Sequence, residues 1–222
     1  MALDVRALER FALWTGLPPA LLAQVAACCA VLSAPAGQRV IAQGETCRGV
    51  FFVVSGVLRV FGDTEGGEEV LYGLIHAHGM FGELSVIDDT THGAHIAVME
   101  DAVLIRLPAE AAQQFFFCEP LVARRVMQHL SAMVRDSNRQ RGALALQDAP
   151  SRLWQALQGM GRSEGNGTLR IQPLPTQAML GQMCGLTRET VSRLLNGWER
   201  DGLLMRSNGG LQMPLSGLPG RE

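Results

Sequence analysis

PTQAMLGQMCGLTRETVSRLLNGWERDGLL, residues 175–204, is the stretch whose reading decides the fold. Apolar residues recur at helical spacing in two segments of about nine and eleven residues, separated by Gly185 and Leu186, so it reads as helix, tight turn, helix. Thr176 and Thr187 stand where N-caps belong, each with a hydroxyl able to satisfy free amides of the first turn. At about 100° per residue, Arg188, Glu189, Ser192, Arg193 and Asn196 share an arc of about 140° on the second helix. Val191, Leu194, Leu195 and Trp198 gather opposite, so one face packs and the other is free. Arginine can donate twice to guanine O6 and N7 and glutamate can accept from cytosine N4, each good contact discriminating by about 1–3 kcal/mol. Arg188, Glu189 and Arg193 are therefore suited to reading the major groove of double-stranded DNA. The alternative is a solvated face of charge pairs. Beyond it, residues 203–205 and 211–213 flank Ser207-Asn208-Gly209-Gly210, which predicts a hairpin lying beside the second helix as a wing.

Working outward, residues 121–146 read as one helix of roughly 39 Å at about 1.5 Å per residue. Ala123, Val126, Leu130, Met133, Ser137, Gln140 and Leu144 recur at alternating spacings of three and four, the pattern of a coiled-coil seam. A long helix with so narrow a stripe suits pairing with a copy of itself, and Val126, Leu130, Met133, Ser137 and Leu144 are the candidate dimer seam. A single helix packed on its own domain is the alternative. Residues 148–150, Asp-Ala-Pro, end the helix and mark a hinge. Upstream, residues 37–107 carry short β-rich runs at 39–42, 50–54, 57–61, 70–75 and 102–107, punctuated by glycine, with Gly56 between two of them and a polar tip at 63–67. Short strands with regular turn signals predict an antiparallel β-roll of the double-stranded β-helix or jelly-roll kind. Residues 16–35, broken by Pro18, Pro19 and Gln24, read as packed helix and not as a membrane segment. The expectation is an α+β chain in three parts: a sensor domain at 1–118, a dimerisation helix at 119–147, and a winged helix-turn-helix at 148–222.

Composition fits this division. Nearly half of the 222 residues are hydrophobic, which is enough for buried cores. The formal net charge is −2, too small for a nucleic-acid coat, but it is unevenly spread. Residues 1–118 hold 6 Arg against 13 Asp and Glu, whereas 119–147 hold 5 against 2 and 148–222 hold 8 against 6. The basic balance thus lies where the reading face lies. There is no lysine, so every permanent cation is a planar guanidinium. The five cysteines, Cys28, Cys29, Cys47, Cys118 and Cys184, show no paired CxxC spacing and no secretory segment precedes them, which points to a reducing cytoplasm.

Glycine-punctuated roll, FGEL turn, long pairing helix and GLTRETVSRLL together make the chain resemble the CRP/FNR family of bacterial transcription regulators over nearly its whole length. The resemblance implies a homodimer that binds an inverted repeat and works with RNA polymerase. It places Arg188, Glu189 and Arg193 on bases of GTGA-like half-sites and Thr176, Thr187 and Thr190 near phosphates, although Ala178 stands where a polar residue is common. It also implies an effector pocket, often for cyclic AMP, in a cassette that begins Gly-Glu-Leu and ends Arg-Ser-Ala or Arg-Thr-Ala. Here Gly82, Glu83 and Leu84 match, while His92-Gly93-Ala94 replaces the ending, so the phosphate-neutralising Arg and the hydroxyl are missing. Ser137 and Asn138 match the polar pair that meets the base across the family dimer. Cyclic AMP, another small ligand and no ligand remain three readings of this pocket. His76, His78, His92 and His95 crowd the same region, so a metal or haem sensor, or a cupin-like metalloenzyme, is a further alternative. A four-thiolate iron–sulfur site lacks the usual cysteine spacing. A pure protein-interaction module is the last alternative, and tight duplex binding would exclude it.

Overall fold

The computed structural model describes residues 4–46, 48–63, 69–146, 148–165, 167–207 and 209–216. The chain forms two compact units, one of residues Met1–Gly62 with Gly73–Val134, the other of Arg135–Glu222 with Asp63–Tyr72.

In the first unit, α1 (Val5–Leu8) and α2 (Pro19–Cys28) precede strands β1 (Ala30–Ala34), β2 (Arg39–Ile41), β3 (Val50–Asp63), β4 (Glu69–His76) and β5 (Met80–Phe81). Then come α3 (Glu83–Ile87), β6 (His95–Leu107), α4 (Ala109–Cys118) and α5 (Pro120–Leu146), the last crossing the division between the units. The sheet runs β1-β6-β3-β4, with β2 on β6 and β5 on β3. The sequence VFFVV at the start of β3 has no polar alternation because both faces are buried: Val50 and Phe52 pack with Trp14 and Phe115, while Phe51 and Val53 pack with Phe81 and Leu104. The Phe51 and Phe81 rings stack at 5.0 Å.

Three expectations are corrected here. Residues 16–35 are not one helix: α2 opens on Pro19, and Cys29 is extended, which turns the chain into edge strand β1 paired with β6. The runs at 50–54 and 57–61 are one strand, because Gly56 does not end β3 but lets it shift register beside β6. At φ +90°, a Cβ on Gly56 would stand 2.6 Å from the Asp101 carbonyl oxygen, so close backbone approach at a bulge excludes a side chain. Last, Val126 does not face outward. With Val122 it is buried in the unit's own core around Trp14 and Phe116, and Leu130 packs at its edge. Among the described side chains of α5, Met127 and Val134 are the most exposed large apolar ones, each at 60%, and Leu121 is exposed near its start. Met133 is also exposed, and Leu144 lies outside the residues whose side chains are described.

In the second unit, α6 (Ala149–Met160) is followed by β7 (Arg162–Ser163), β8 (Thr168–Ile171), α7 (Gln177–Cys184), α8 (Arg188–Arg200), β9 (Met205–Ser207) and β10 (Gly210–Pro214). Residues 148–150 start a helix as well as ending one: the Asp148 carboxylate accepts from the Ser151 N–H at 3.0 Å. The four strands form an antiparallel sheet in the order β7-β8-β10-β9. Leu153, Leu157, Ile171, Leu180, Val191, Leu195 and Leu211 are buried, and Trp154 meets Trp198 edge to face at 5.2 Å. Among the described residues no helix is long and apolar enough to cross a membrane.

Candidate nucleic-acid interface and effector pocket

The helix-turn-helix is built by caps at both starts. Thr176 Oγ1 accepts from the Met179 N–H at 3.3 Å, and Thr187 Oγ1 accepts from the Thr190 N–H at 3.2 Å. Between them Gly185 adopts the left-handed conformation that ends α7. The turn is then tied back, since the Leu186 N–H donates to the Gly181 carbonyl at 2.8 Å. Arg152 Nε adds a bond to the Cys184 carbonyl at 3.0 Å, placing a cation at the negative end of α7. Burial pushes the Cys184 thiol up to about 11, so it is a packing residue and not a nucleophile.

On α8, Val191, Leu195 and Trp198 are buried, which turns Arg188, Glu189 and Arg193 outward. All three are exposed and, among the described residues, none makes a hydrogen bond or ion pair within the chain. Unpaired guanidiniums on a rigid helix keep their full donor capacity for a partner. Thr176 and Thr187 are exposed beside them, and Thr190 is half-buried with its hydroxyl 3.0 Å from that of Thr187. The predicted wing is present as β9 and β10, with its turn residue Asn208 outside the described residues. Sequence reasoning missed one feature here. Arg206 on β9 reaches back to α8, donating through Nη2 to Asn196 Oδ1 at 2.9 Å and lying 3.2 Å through Nε from Glu199 Oε2. A contact ten residues apart between a helix and a wing strand leaves no periodic trace.

In the first unit, Gly82 turns the chain at φ +87° into α3, where a Cβ would come within 2.6 Å of the Gly49 carbonyl oxygen. Glu83 is 4% exposed. Its Oε1 lies 3.6 Å from His129 Nε2 on α5, while Oε2 has no hydrogen-bond partner among the described residues. His129 is the fifth histidine and the only one that sequence reading passed over. Leu84 is half exposed. His92 is buried, not an exposed loop residue: Nδ1 lies 3.2 Å from Ser85 Oγ, and its backbone pairs with Gly44 and Glu45. Burial lowers the His92 pKa, opposed by Glu45 and assisted by Arg48, so the imidazole is neutral at pH 7. The permanent cation that acts on this ring is Arg48, not a residue at position 92. Around Gly93 a Cβ would meet open space. Ser137 is half-buried and Asn138 exposed, both on the part of α5 that belongs to the second unit.

The four clustered histidines are not assembled as a cage. His95 Nδ1 accepts from the Gln43 N–H at 2.9 Å and its ring stacks on Phe61, His78 sits edge-on to Phe11, and His76 ends β4. Among the described residues no three His, Cys, Asp or Glu side chains stand close enough to hold a metal ion.

Comparison with known proteins agrees with both halves. Residues 31–117 match the cyclic nucleotide-binding domain and residues 151–214 the Crp-like helix-turn-helix domain. A CRP-like cAMP-activated global transcriptional regulator of Mycobacterium tuberculosis is 26% identical over 202 residues, covering 87% of this chain and 90% of that one. The transcriptional activator protein FnrA of Stutzerimonas stutzeri is 28% identical over 171 residues, covering 76% and 70%. In three dimensions, FixK2 from Bradyrhizobium japonicum matches with a TM-score of 0.72 at 20% identity, over 85% of this chain and 93% of that one.

Proposed function

The chain belongs to the CRP/FNR family of transcription regulators, and from that premise we propose that it acts as a homodimer reading an inverted repeat with GTGA-like half-sites. The observation that carries this is the outward face of α8, where Arg188, Glu189 and Arg193 are exposed and free of partners while Trp198 anchors the opposite face on Trp154. Arg188 and Arg193 read guanines, Glu189 accepts from a cytosine, and Thr176, Thr187 and Thr190 lie along phosphates. Residues 1–118 are the sensor, 119–147 the pairing helix and 148–222 the DNA-binding part. Two half-sites about one DNA turn apart, roughly 34–36 Å, match two recognition helices related by a dimer axis. The pairing stripe is Ala123, Met127, Leu130, Val134 and Ser137, continuing to Leu144; it keeps the three-four spacing but replaces Val126 and Met133, because Val126 is used inside its own unit.

The effector residues of the first unit, Gly82, Glu83, Leu84, His92 and Gly93, do not fit a cyclic nucleotide in the usual way. A neutral His92 cannot balance a phosphate charge, and the lost charge-assisted bond is worth about 1.5–3 kcal/mol. We therefore assign DNA binding that does not require cyclic AMP, with RNA polymerase as the downstream partner and cytoplasm as the place of action. The test is fluorescence anisotropy of a GTGA inverted-repeat duplex against a scrambled one at fixed salt, with and without cyclic AMP. Specific binding in both conditions is the expected result. Binding only with cyclic AMP overturns the pocket assignment, and no specific binding in either overturns the base readers.

A further inference from the structure

Asn196 lies near the middle of the outward arc of α8, eight residues and about 12 Å along the axis from Arg188 at about 1.5 Å per residue. It is exposed, and among the described residues its side chain makes one hydrogen bond, to Arg206. That contact fixes more than its position. A guanidinium has donors and no acceptor, so the amide must present Oδ1 to Arg206 Nη2, and both Nδ2 hydrogens then point away. An asparagine that reads adenine needs its oxygen to accept from N6 while its nitrogen donates to N7. Here Arg206 holds the oxygen on the side of the wing, which leaves the two Nδ2 hydrogens as the part of the amide directed away from it. The amide thus offers its donor to the reading face, and an acceptor that asks only for a donor is a phosphate oxygen of the DNA backbone. The position two turns below Arg188 suits this, since the N-terminal end of a recognition helix meets the base edges. Arg206 is itself held by Glu199, whose carboxylate also balances its charge.

We propose that Asn196 is a further DNA-contacting residue, a neutral hydrogen-bond donor to a backbone phosphate at the edge of the half-site, and that Arg206 and Glu199 are the positioning pair that orients its amide. The inference rests on the DNA-binding reading above, and deepens it by separating groups that read sequence from one that sets register. Arg206 acts through Asn196 and not on DNA itself.

The test is anisotropy with the full-length protein on the inverted-repeat duplex and on single-base variants of it, across a salt series. Asn196→Ala should weaken binding about tenfold on every duplex alike, as befits one hydrogen bond to a charged group. The slope of log affinity against log salt should not change, because a neutral amide releases no counterion. Asn196→Asp should be weaker than Asn196→Ala, since it keeps an acceptor for Arg206 but turns a carboxylate toward phosphate. Arg206→Ala should reproduce most of the loss seen in Asn196→Ala, and the double variant should be no weaker than Asn196→Ala. Asn196→Asp binding as well as Asn196→Ala, losses that multiply in the double variant, or an altered base preference in Asn196→Ala would each overturn the assignment. Failure of the unaltered protein to prefer the inverted repeat would overturn it together with the reading it rests on.

Discussion

Gly181→Ala sets two effects of opposite sign against each other inside the helix-turn-helix. Gly181 lies within α7 at ordinary helical φ, so alanine should favour the helix by about 0.8–1 kcal/mol. The new Cβ, however, would stand 2.6 Å from the Leu186 carbonyl oxygen and 3.5 Å from the carbonyl carbons of Leu186 and Thr187. Those are backbone atoms, and the Leu186 N–H bond to the Gly181 carbonyl prevents the turn from swinging clear. Overpacking of this kind costs about 1–3 kcal/mol, so after the propensity gain the second unit loses about 0–2 kcal/mol of stability instead of gaining it. The relief route also moves Thr187 and the first turn of α8, which carries Arg188 and Glu189. Urea unfolding followed by tryptophan emission measures the first effect, and duplex anisotropy the second. Gly159→Ala in α6 is the control, because a Cβ there meets nothing within 4 Å and only the propensity gain remains. If Gly181→Ala stabilises the protein as Gly159→Ala does, with unchanged duplex affinity, the claim that a close backbone contact sets the α7–α8 geometry is wrong.

Arg188→Ala should cost about 1–3 kcal/mol on the best duplex and relax preference at one guanine; an unchanged preference in a panel of single-base variants refutes its role. The buried His92 takes up a proton at lower pH than it does in the unfolded chain, so in the window below its ordinary value of about 6.5 the unfolded state binds more protons and stability falls as pH falls. Urea midpoints at about pH 7.5 and 5.5 should therefore differ, and less so in His92→Gln; equal pH dependence in the variant would remove His92 as the cause. Met127→Glu combined with Val134→Glu should leave a folded monomer by light scattering, whereas Val126→Glu should prevent folding, because only Val126 lies in the core. A dimer that survives the first change refutes the shifted stripe.

What was legible in the sequence was whatever local chemistry imposes. The caps Thr176 and Thr187, the turn glycine Gly185 and the buried Trp198 opposite an arginine face all act within a turn or two of chain, and all stand where the sequence placed them. Non-local pairing was not legible. Residues 30–34 are a strand only because β6 lies beside them, and β6 extends back to His95 because β2 and β3 supply partners along its whole length. The same holds for His92. The family resemblance marked it as standing where an arginine is expected, but only its burial beside Ser85 explains why its pKa is lowered. The Arg206–Asn196–Glu199 contact, set by the fold of the wing onto α8, left no signal in spacing.

The long helix shows why periodicity alone could not choose its own seam. At about 100° per residue, Val122, Val126 and His129 cluster around one direction, while Ala123, Met127, Leu130 and Val134 cluster around another roughly 100° away. Both directions carry apolar side chains at three-four spacing, and a seam through Val126 and Leu130 satisfies the same rule as one through Met127 and Leu130. Burial breaks the tie: the first direction is filled by the helix's own unit, with His129 beside Glu83, so only the second is free for a partner. A helix that is amphipathic toward two places at once must have a wide apolar sector near its start and a narrower one beyond it. Among the described side chains α5 fits this, since the last buried one is Val126 and exposed apolar ones reach Val134. One helix thus meets Glu83 through His129 on one face and carries the exposed apolar side chains Met127 and Val134 on the next.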